Sequence, residues 1–247
     1  MFNENNEEIK VVLLCSGGLD SIVAGYDQIA QNRIVYPLFI SYGQTHIIEV
    51  DNARAFSISK AKHKLKEAEF NLGALVGGST TLAGDRGAKT ITEDIPNPDK
   101  DRMRNVVPFR NFLFLLAASA YAYDVGAQLI CIAANRDDRI RYQDCRPRTL
   151  ERSMTVINDF LKDQFDARPL TLLMPFTNFT KGQIVQIGMR LEVPFEKTHT
   201  CYRGERPFCG RCDSCIDRLK AFREAGIEDP VPYAYIPPEF KHVAEDN

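Results

Sequence analysis

The chain has 247 residues, 44% of them hydrophobic and 26% charged, with a formal net charge of −2. That length suits one large α/β domain with a proper core and a small appendage, and the charge supplies no global basic field to attract nucleic acid or an anionic membrane. No apolar run reaches membrane-spanning length, and the acidic start Met1-Phe2-Asn3-Glu4-Asn5-Asn6-Glu7-Glu8 does not read as a signal peptide; the expected location is cytoplasmic.

The first element is an apolar strand, Val11 to Cys15. It runs into Cys15-Ser16-Gly17-Gly18-Leu19-Asp20-Ser21, and a helix over 20–32 follows with Ile22, Val23, Tyr26 and Ile29 on its apolar side. Two glycines let the backbone turn sharply and approach a ligand closely. Loop N–H groups and the first helical turn then converge on one spot, and Ser16 and Ser21 add hydroxyls. That is a cradle for phosphate or pyrophosphate. A plain strand-to-helix turn with capping serines would share part of this pattern. The loop lacks the Gly-Lys-Ser/Thr ending of γ-phosphate-transferring enzymes and the three-glycine dinucleotide fingerprint.

A second buried strand, Ile34 to Ile40, is broken by Ser41-Tyr42-Gly43-Gln44. A long helix is expected from His46 to Lys66, with Val50, Ala53, Phe56, Ile58 and Ala61 on its apolar face, then a third strand at Ala68–Leu72. Residues 73–106 hold no period, which suits a lid or a partner surface. Phe112 to Tyr123 is apolar nearly all round and is expected to be a buried helix. Gln128–Ala134 is the next strand, and residues 135–147 are expected to form a polar loop. A helix through Leu150, Met154, Ile157 and Leu161 leads to a fifth strand, Leu170–Met174. Thr180-Lys181-Gly182-Gln183 has the capping-box pattern and opens a helix reaching Leu191.

Five buried strands alternating with helices predict a doubly wound parallel sheet, α/β in class, with ligands at the carboxyl ends of the strands. The expected division is a nucleotide-binding domain over 1–195 and a C-terminal segment over 196–247 packed on it.

Cysteine usage marks that segment. Four of the seven cysteines, Cys201, Cys209, Cys212 and Cys215, follow the spacing C-x7-C-x2-C-x2-C. Four thiolates match a closed tetrahedral zinc site, which would be structural because no coordination position stays open. An iron–sulfur cluster also takes four cysteines. Cys15 and Cys131 read as small buried hydrophobes. His199 reads as a local hydrogen-bonding residue. His46 reads either as a substrate contact or as a helix cap, and Lys181 either as a phosphate ligand or as part of the helix start.

Ser16-Gly17-Gly18-Leu19-Asp20-Ser21 resembles the pyrophosphate loop of the ATP pyrophosphatase superfamily, whose members split ATP between the α and β phosphates. Further motifs fall in order along the chain. They are Tyr42-Gly43-Gln44 with His46 and Glu49, Arg110-Asn111, Asn135 with Asp138, Asp144-Cys145-Arg146-Pro147, Thr180-Lys181, and Cys201-Tyr202 through Cys215. Together they resemble the 7-cyano-7-deazaguanine synthases of the queuosine pathway, over roughly residues 10–235.

The resemblance implies a ligase. The substrate 7-carboxy-7-deazaguanine is adenylated by ATP, ammonia gives an amide, and a second ATP leads to the nitrile. It implies Ser16, Asp20, Ser21, Lys181 and Arg110 in catalysis, with Asp20 near magnesium and pyrophosphate. Cys15, Gly17, Gly18, Leu19, Tyr42, Gln44 and Asn111 would bind ATP; His46, Asn135, Asp138, Tyr142, Asp144 and Arg146 would face the deazaguanine. It also implies Mg2+, Zn2+ and a homodimer. The chain departs from the usual pattern in three places. Arg139-Ile140-Arg141-Tyr142-Gln143 replaces a Ser-Gly-Tyr-Pro segment, Phe109 stands where glycine is usual, and Thr198-His199-Thr200 stands where Thr-Trp-Ser is common. These changes fall at the acceptor end and fit either ordinary drift or a different acceptor, an amine on another protein as in an antiviral defence relative of the family, with Arg139 and Arg141 either contacting an acidic partner or simply solvated.

Overall fold

The computed structural model describes residues 8–42, 49–70, 107–204 and 206–240. Gln44, His46 and the expected lid over 73–106 lie outside the described residues. The core is a parallel sheet of five strands in the order β3-β2-β1-β4-β5. The strands are β1 (Lys10–Leu14), β2 (Ile34–Ser41), β3 (Lys66–Glu69), β4 (Leu129–Cys131) and β5 (Thr171–Leu173). Register is fixed at the centre, where Val12 lies opposite Tyr36 on one side and Ile130 on the other.

Alternation along β1 sends its side chains into two separate cores. Val11 and Leu13 pack with α1 (Leu19–Ala30), α2 (Glu49–Phe56), α6 (Lys181–Arg190) and α7 (Asp213–Ala225) through Ile22, Val23, Phe56, Ile184 and Phe222. Val12 packs on the opposite face with α3 (Arg110–Val125) and α5 (Pro147–Phe165) through Leu115, Ala118, Leu150 and Met154. The sheet is therefore covered on both sides, as a doubly wound fold requires. The strand order reverses between β1 and β4, so the loops that follow them open a crevice.

Four local expectations change. The helix expected over 46–66 is α2, followed by one π-helical stretch, Ser57–Ala61, that stops at Lys62 in a left-handed conformation. Ser57 donates to the His63 carbonyl at 2.5 Å and Ser59 to the Ala55 carbonyl at 2.7 Å, so hydroxyls compete with the backbone ladder there. The altered turn leaves Ile58 82% exposed. β3 starts at Lys66 because it pairs with Leu38–Ser41; an edge strand is set by backbone pairing and tolerates charge. Residues 136–141 are helical, not loop. Asn135 caps this α4 (Arg136–Arg141), accepting from the N–H groups of Asp137 and Asp138 while Asp138 accepts from the Asn135 N–H. Finally, α3 is not buried all round: Phe112, Leu116 and Tyr123 are exposed.

Candidate active site

The turn after β1 is built around Gly17, which sits at φ +83°. A Cβ placed there would lie 2.0 Å from the Glu49 carbonyl oxygen, so only glycine lets the loop reach the start of α2. The two serines close on the loop itself. Ser21 Oγ donates to the Gly18 carbonyl at 3.0 Å, Ser16 Oγ accepts from the Gly18 N–H at 3.2 Å, and the two hydroxyls meet at 3.1 Å. A phosphate entering the cradle would take over donors that now serve the loop. Cys15, fully buried, has its thiol pushed up to about 12 by burial, so it is no nucleophile.

The other wall of the cradle comes from far along the chain. The His199 N–H donates to the Gly17 carbonyl at 3.2 Å, and His199 Nε2 meets the Cys201 carbonyl at 2.8 Å. His199 is fully buried with its ring edge-on to Phe208.

Asp20 lies at the centre. Its Oδ2 accepts from Asn135 Nδ2 at 3.0 Å and lies 3.6 Å from Lys181 Nζ. Its Oδ1 is buried and has no hydrogen-bond partner among the described residues. Lys181 is the first residue of α6, set by the Thr180–Gln183 capping box. Burial works against its ammonium, but Asp20 and Asp138 outweigh it, so Lys181 holds its proton more tightly than a free lysine. Arg110, at the start of α3, lies over the Tyr42 ring. Burial opposes its charge, and Tyr42, Cys145 and Asp144 restore it, so it stays a cation.

The cleft brings together Cys15, Ser16, Gly18, Leu19, Asp20, Ser21, Tyr42, Arg110, Asn111, Asp138, Tyr142 and Lys181. Asn111 lines it but is held from behind: Nδ2 donates to Asp144 Oδ2 at 2.9 Å and to Cys145 Sγ at 3.3 Å. Asn135 and Asp144 are thus bracing residues, one for Asp20 and one for Asn111. Arg146 is exposed and lines a different depression, with Phe112, Arg152 and Val156. The cleft also includes Glu49, Cys145, His199, Thr200, Tyr202 and Ser214, which were not among the expected site residues. Glu49, Cys145, Tyr202 and Ser214 do stand inside the motifs that carry the family resemblance. Burial pushes the Cys145 thiol to about 12 and raises Tyr142 and Asp138.

Behind the cleft lies the cysteine cluster. The four sulfurs of Cys201, Cys209, Cys212 and Cys215 lie within 4.8 Å of one another, all buried. Cys209 Sγ and Cys215 Sγ are 3.8 Å apart, close to the ~3.8 Å edge of a tetrahedron with ~2.3 Å metal–sulfur bonds. Backbone N–H groups of Arg211 and Cys212 point at Cys209 Sγ at 3.5 and 3.4 Å, the kind of support that orients thiolate ligands. Gly210, at φ +68°, lets this turn pass Tyr235, whose carbonyl oxygen would lie 1.6 Å from a Cβ. The donor set fits a metal ion.

The model of the family described as "Queuosine biosynthesis protein QueC" matches residues 10–226. The chain belongs to that family. It is 36% identical over 236 residues to a 7-cyano-7-deazaguanine synthase of Oceanobacillus iheyensis, covering 91% of this chain and 98% of the relative. It is 35% identical over 248 residues to one of Thermoplasma acidophilum, covering 97% and 98%. Among solved structures it is similar to the NMN synthetase of Francisella tularensis at 15% identity and a TM-score of 0.47, covering 90% of this chain and 78% of that one.

The places where the chain departs from the family pattern have structural accounts. Phe109 is the N-cap of α3 at φ +61°, the left-handed region that glycine enters freely. Arg141 makes a two-armed pair with Asp217 at 2.5 and 3.1 Å, and Arg139 donates to Asn178 at 2.9 Å.

Proposed function

We propose that the chain adenylates 7-carboxy-7-deazaguanine with ATP and converts it with ammonia, through the amide, to 7-cyano-7-deazaguanine, releasing AMP and pyrophosphate. The observation that carries this reading is the convergence of the Gly17 loop with Asp20, Lys181 and Arg110 on one cleft. It occurs in a chain that aligns over nearly its whole length with synthases of that name.

A carboxylate attacking ATP brings two anions together, so the chemistry asks chiefly for positive charge and positioning. Lys181 and Arg110 remain cationic inside the cleft and meet that need. Asp20 positions Lys181 through Oδ2. Its second oxygen is a buried acceptor with no hydrogen-bond partner among the described residues, and suits a magnesium ion carried by the phosphates; such an ion would neutralise phosphate charge. Tyr142, Tyr202 and Asp138 line the same cleft and supply aromatic and carboxyl groups for the acceptor.

In this reading the ion of the four-cysteine centre is zinc, held by a closed set of thiolates and structural in role. The protein works in the cytoplasm, where such thiols stay reduced. Two copies associate through the exposed apolar row of Phe112, Leu116 and Tyr123 on α3 and Val156, Phe160 and Phe165 on α5. A protein amine as acceptor has less support, because an acidic partner would have to compete with Asp217 for Arg141.

The test is product analysis by mass spectrometry with ATP, ammonia and 7-carboxy-7-deazaguanine. The expected products are AMP, pyrophosphate and the nitrile. ADP and phosphate in their place would overturn the assignment.

A further inference from the structure

We propose that the four-cysteine metal centre and the nucleotide cleft are coupled: the metal raises the affinity of the Gly17 loop for ATP, and bound ATP slows loss of the metal. The proposal rests on the ATP reading above. The two sites share backbone. Thr200 and Tyr202 flank Cys201, Ser214 directly precedes Cys215, and all three flanking residues line the cleft.

Two routes join the sites. The first runs along the chain from Cys201 to His199, which forms a parallel bridge with Gly18. The His199 N–H donates to the Gly17 carbonyl at 3.2 Å, and its Nε2 meets the Cys201 carbonyl at 2.8 Å. The thiol-bearing segment is thereby one wall of the phosphate loop. The second route runs along α7, whose N-cap is Cys212 and whose first turn holds Cys215. About one turn on, Arg218 Nη1 donates to Thr198 Oγ1 at 2.7 Å and to Thr200 Oγ1 at 3.2 Å. Near the end of α7, Glu224 accepts from Thr180 Oγ1 at 2.6 Å, at the cap that sets Lys181. Gly182 makes room for that contact, since a Cβ there would lie 2.5 Å from the Glu224 side chain.

The physical link is shared order. Four buried sulfurs within 4.8 Å of one another stay together as thiolates only around a cation, because like charges that close repel. Losing the ion loosens the stretch from Thr198 to Tyr202 and the start of α7, and with them the His199 contact on the loop. Phosphate seated in the loop acts in the other direction. It favours the closed wall, and so the gathered thiols. Thermodynamic linkage makes the two effects equal, typically a factor of about 5 to 150.

The test uses the full chain loaded with zinc. Zinc release to a colorimetric chelator is followed with and without α,β-methylene-ATP and magnesium, an analogue that cannot be split at the α–β bond. Release is expected to slow about 5-fold or more with the analogue, and calorimetry should show its Kd rising by the same factor when the metal is stripped. Gly17→Ala controls for metal binding by the analogue itself and should show no slowing. Arg218→Met should shrink the effect below about twofold. Thr198→Val/Thr200→Val removes the same contacts at nearly constant volume and serves if Arg218→Met fails to fold; Thr198→Ser/Thr200→Ser should preserve the effect. Equal release rates with the analogue demonstrably bound would overturn the proposal. So would release that keeps pace with loss of the far-ultraviolet circular dichroism signal, which marks a merely structural metal, or an effect that survives both variants. A zinc-loaded protein that binds no analogue would instead refute the ATP reading, and the proposal with it.

Discussion

Arg218 ties the metal-bearing helix to the wall of the ATP cradle, and its removal has a calculable outcome. The side chain is fully buried in α7. Nε and Nη2 grip both oxygens of Asp229 at 2.7 and 2.9 Å, Nη1 donates to Thr198 Oγ1 at 2.7 Å and Thr200 Oγ1 at 3.2 Å, and Nη2 donates to the Phe195 carbonyl at 3.0 Å. Thr198 and Thr200 flank His199, whose N–H holds the Gly17 carbonyl. Arg218→Met keeps much of the volume and removes the charge. It strands Asp229, which among the described residues retains the Tyr233 hydroxyl at 2.6 Å and the Val231 N–H at 3.3 Å. Losing one partner of a buried pair costs about 3 to 5 kcal/mol. These two remaining donors place the cost near the lower figure, about 3 kcal/mol, or a fall in Tm of about 6 to 12 °C for a chain of this size. Thermal and urea unfolding by circular dichroism measure it, and the KM for ATP should rise as the 198–200 segment loosens. The double variant Arg218→Met/Asp229→Asn should regain part of the stability, because the stranded charge is gone. A single variant within about 1 kcal/mol of wild type, with unchanged KM, would refute the reasoning.

Gly17→Ala should abolish turnover by about 100-fold or more while leaving the protein folded, since a Cβ there meets backbone and φ is +83°; near-normal kcat/KM would contradict the close approach of α2. Phe109→Gly should raise Tm by up to about 6 °C, because it relieves about 1 to 2 kcal/mol of left-handed strain and loses about half to one to chain entropy; a lower Tm would count against strain at φ +61°. Cys212→Ser should reduce bound zinc, measured by elemental mass spectrometry, well below one ion per chain and lower Tm together with it; full zinc occupancy would disprove its place in the site. The proposed pairing of two copies through α3 and α5 predicts a dimer mass in light scattering that Leu116→Glu with Phe160→Glu reduces to a monomer with adenylation retained; a monomeric wild-type protein, or an unchanged dimer mass in the variant, would refute that pairing.

The sheet was legible because its central strands are short apolar runs followed by turn signals, and because a parallel sheet buried on both faces needs such runs. The edge was less legible: Lys66–Glu69 carries little apolar content, and its pairing depends on β2. The exposure of Phe112 and Leu116 was hidden for the opposite reason, since composition records that a helix is apolar and not whether anything covers it. The capping box at Asn135 was present in the residues but outweighed by the polar character of 135–147.

What the sequence determined by itself is local and covalent in scale. The Gly17-Gly18 turn and the Cys209, Cys212 and Cys215 spacing place their groups within a few bonds of one another, so a pattern of residues suffices to announce a cradle and a metal site. What only the tertiary structure decided is which distant groups meet there. Asn135 reaches Asp20 across 115 positions of sequence, Lys181 arrives from the start of α6, and the His199 N–H closes on Gly17. The elevated carboxyl of Glu49 follows from burial, which outweighs the opposing pull of Arg110 and Lys181. Proton affinity depends on the dielectric and the charges that folding assembles around a group, and no spacing along the chain encodes them.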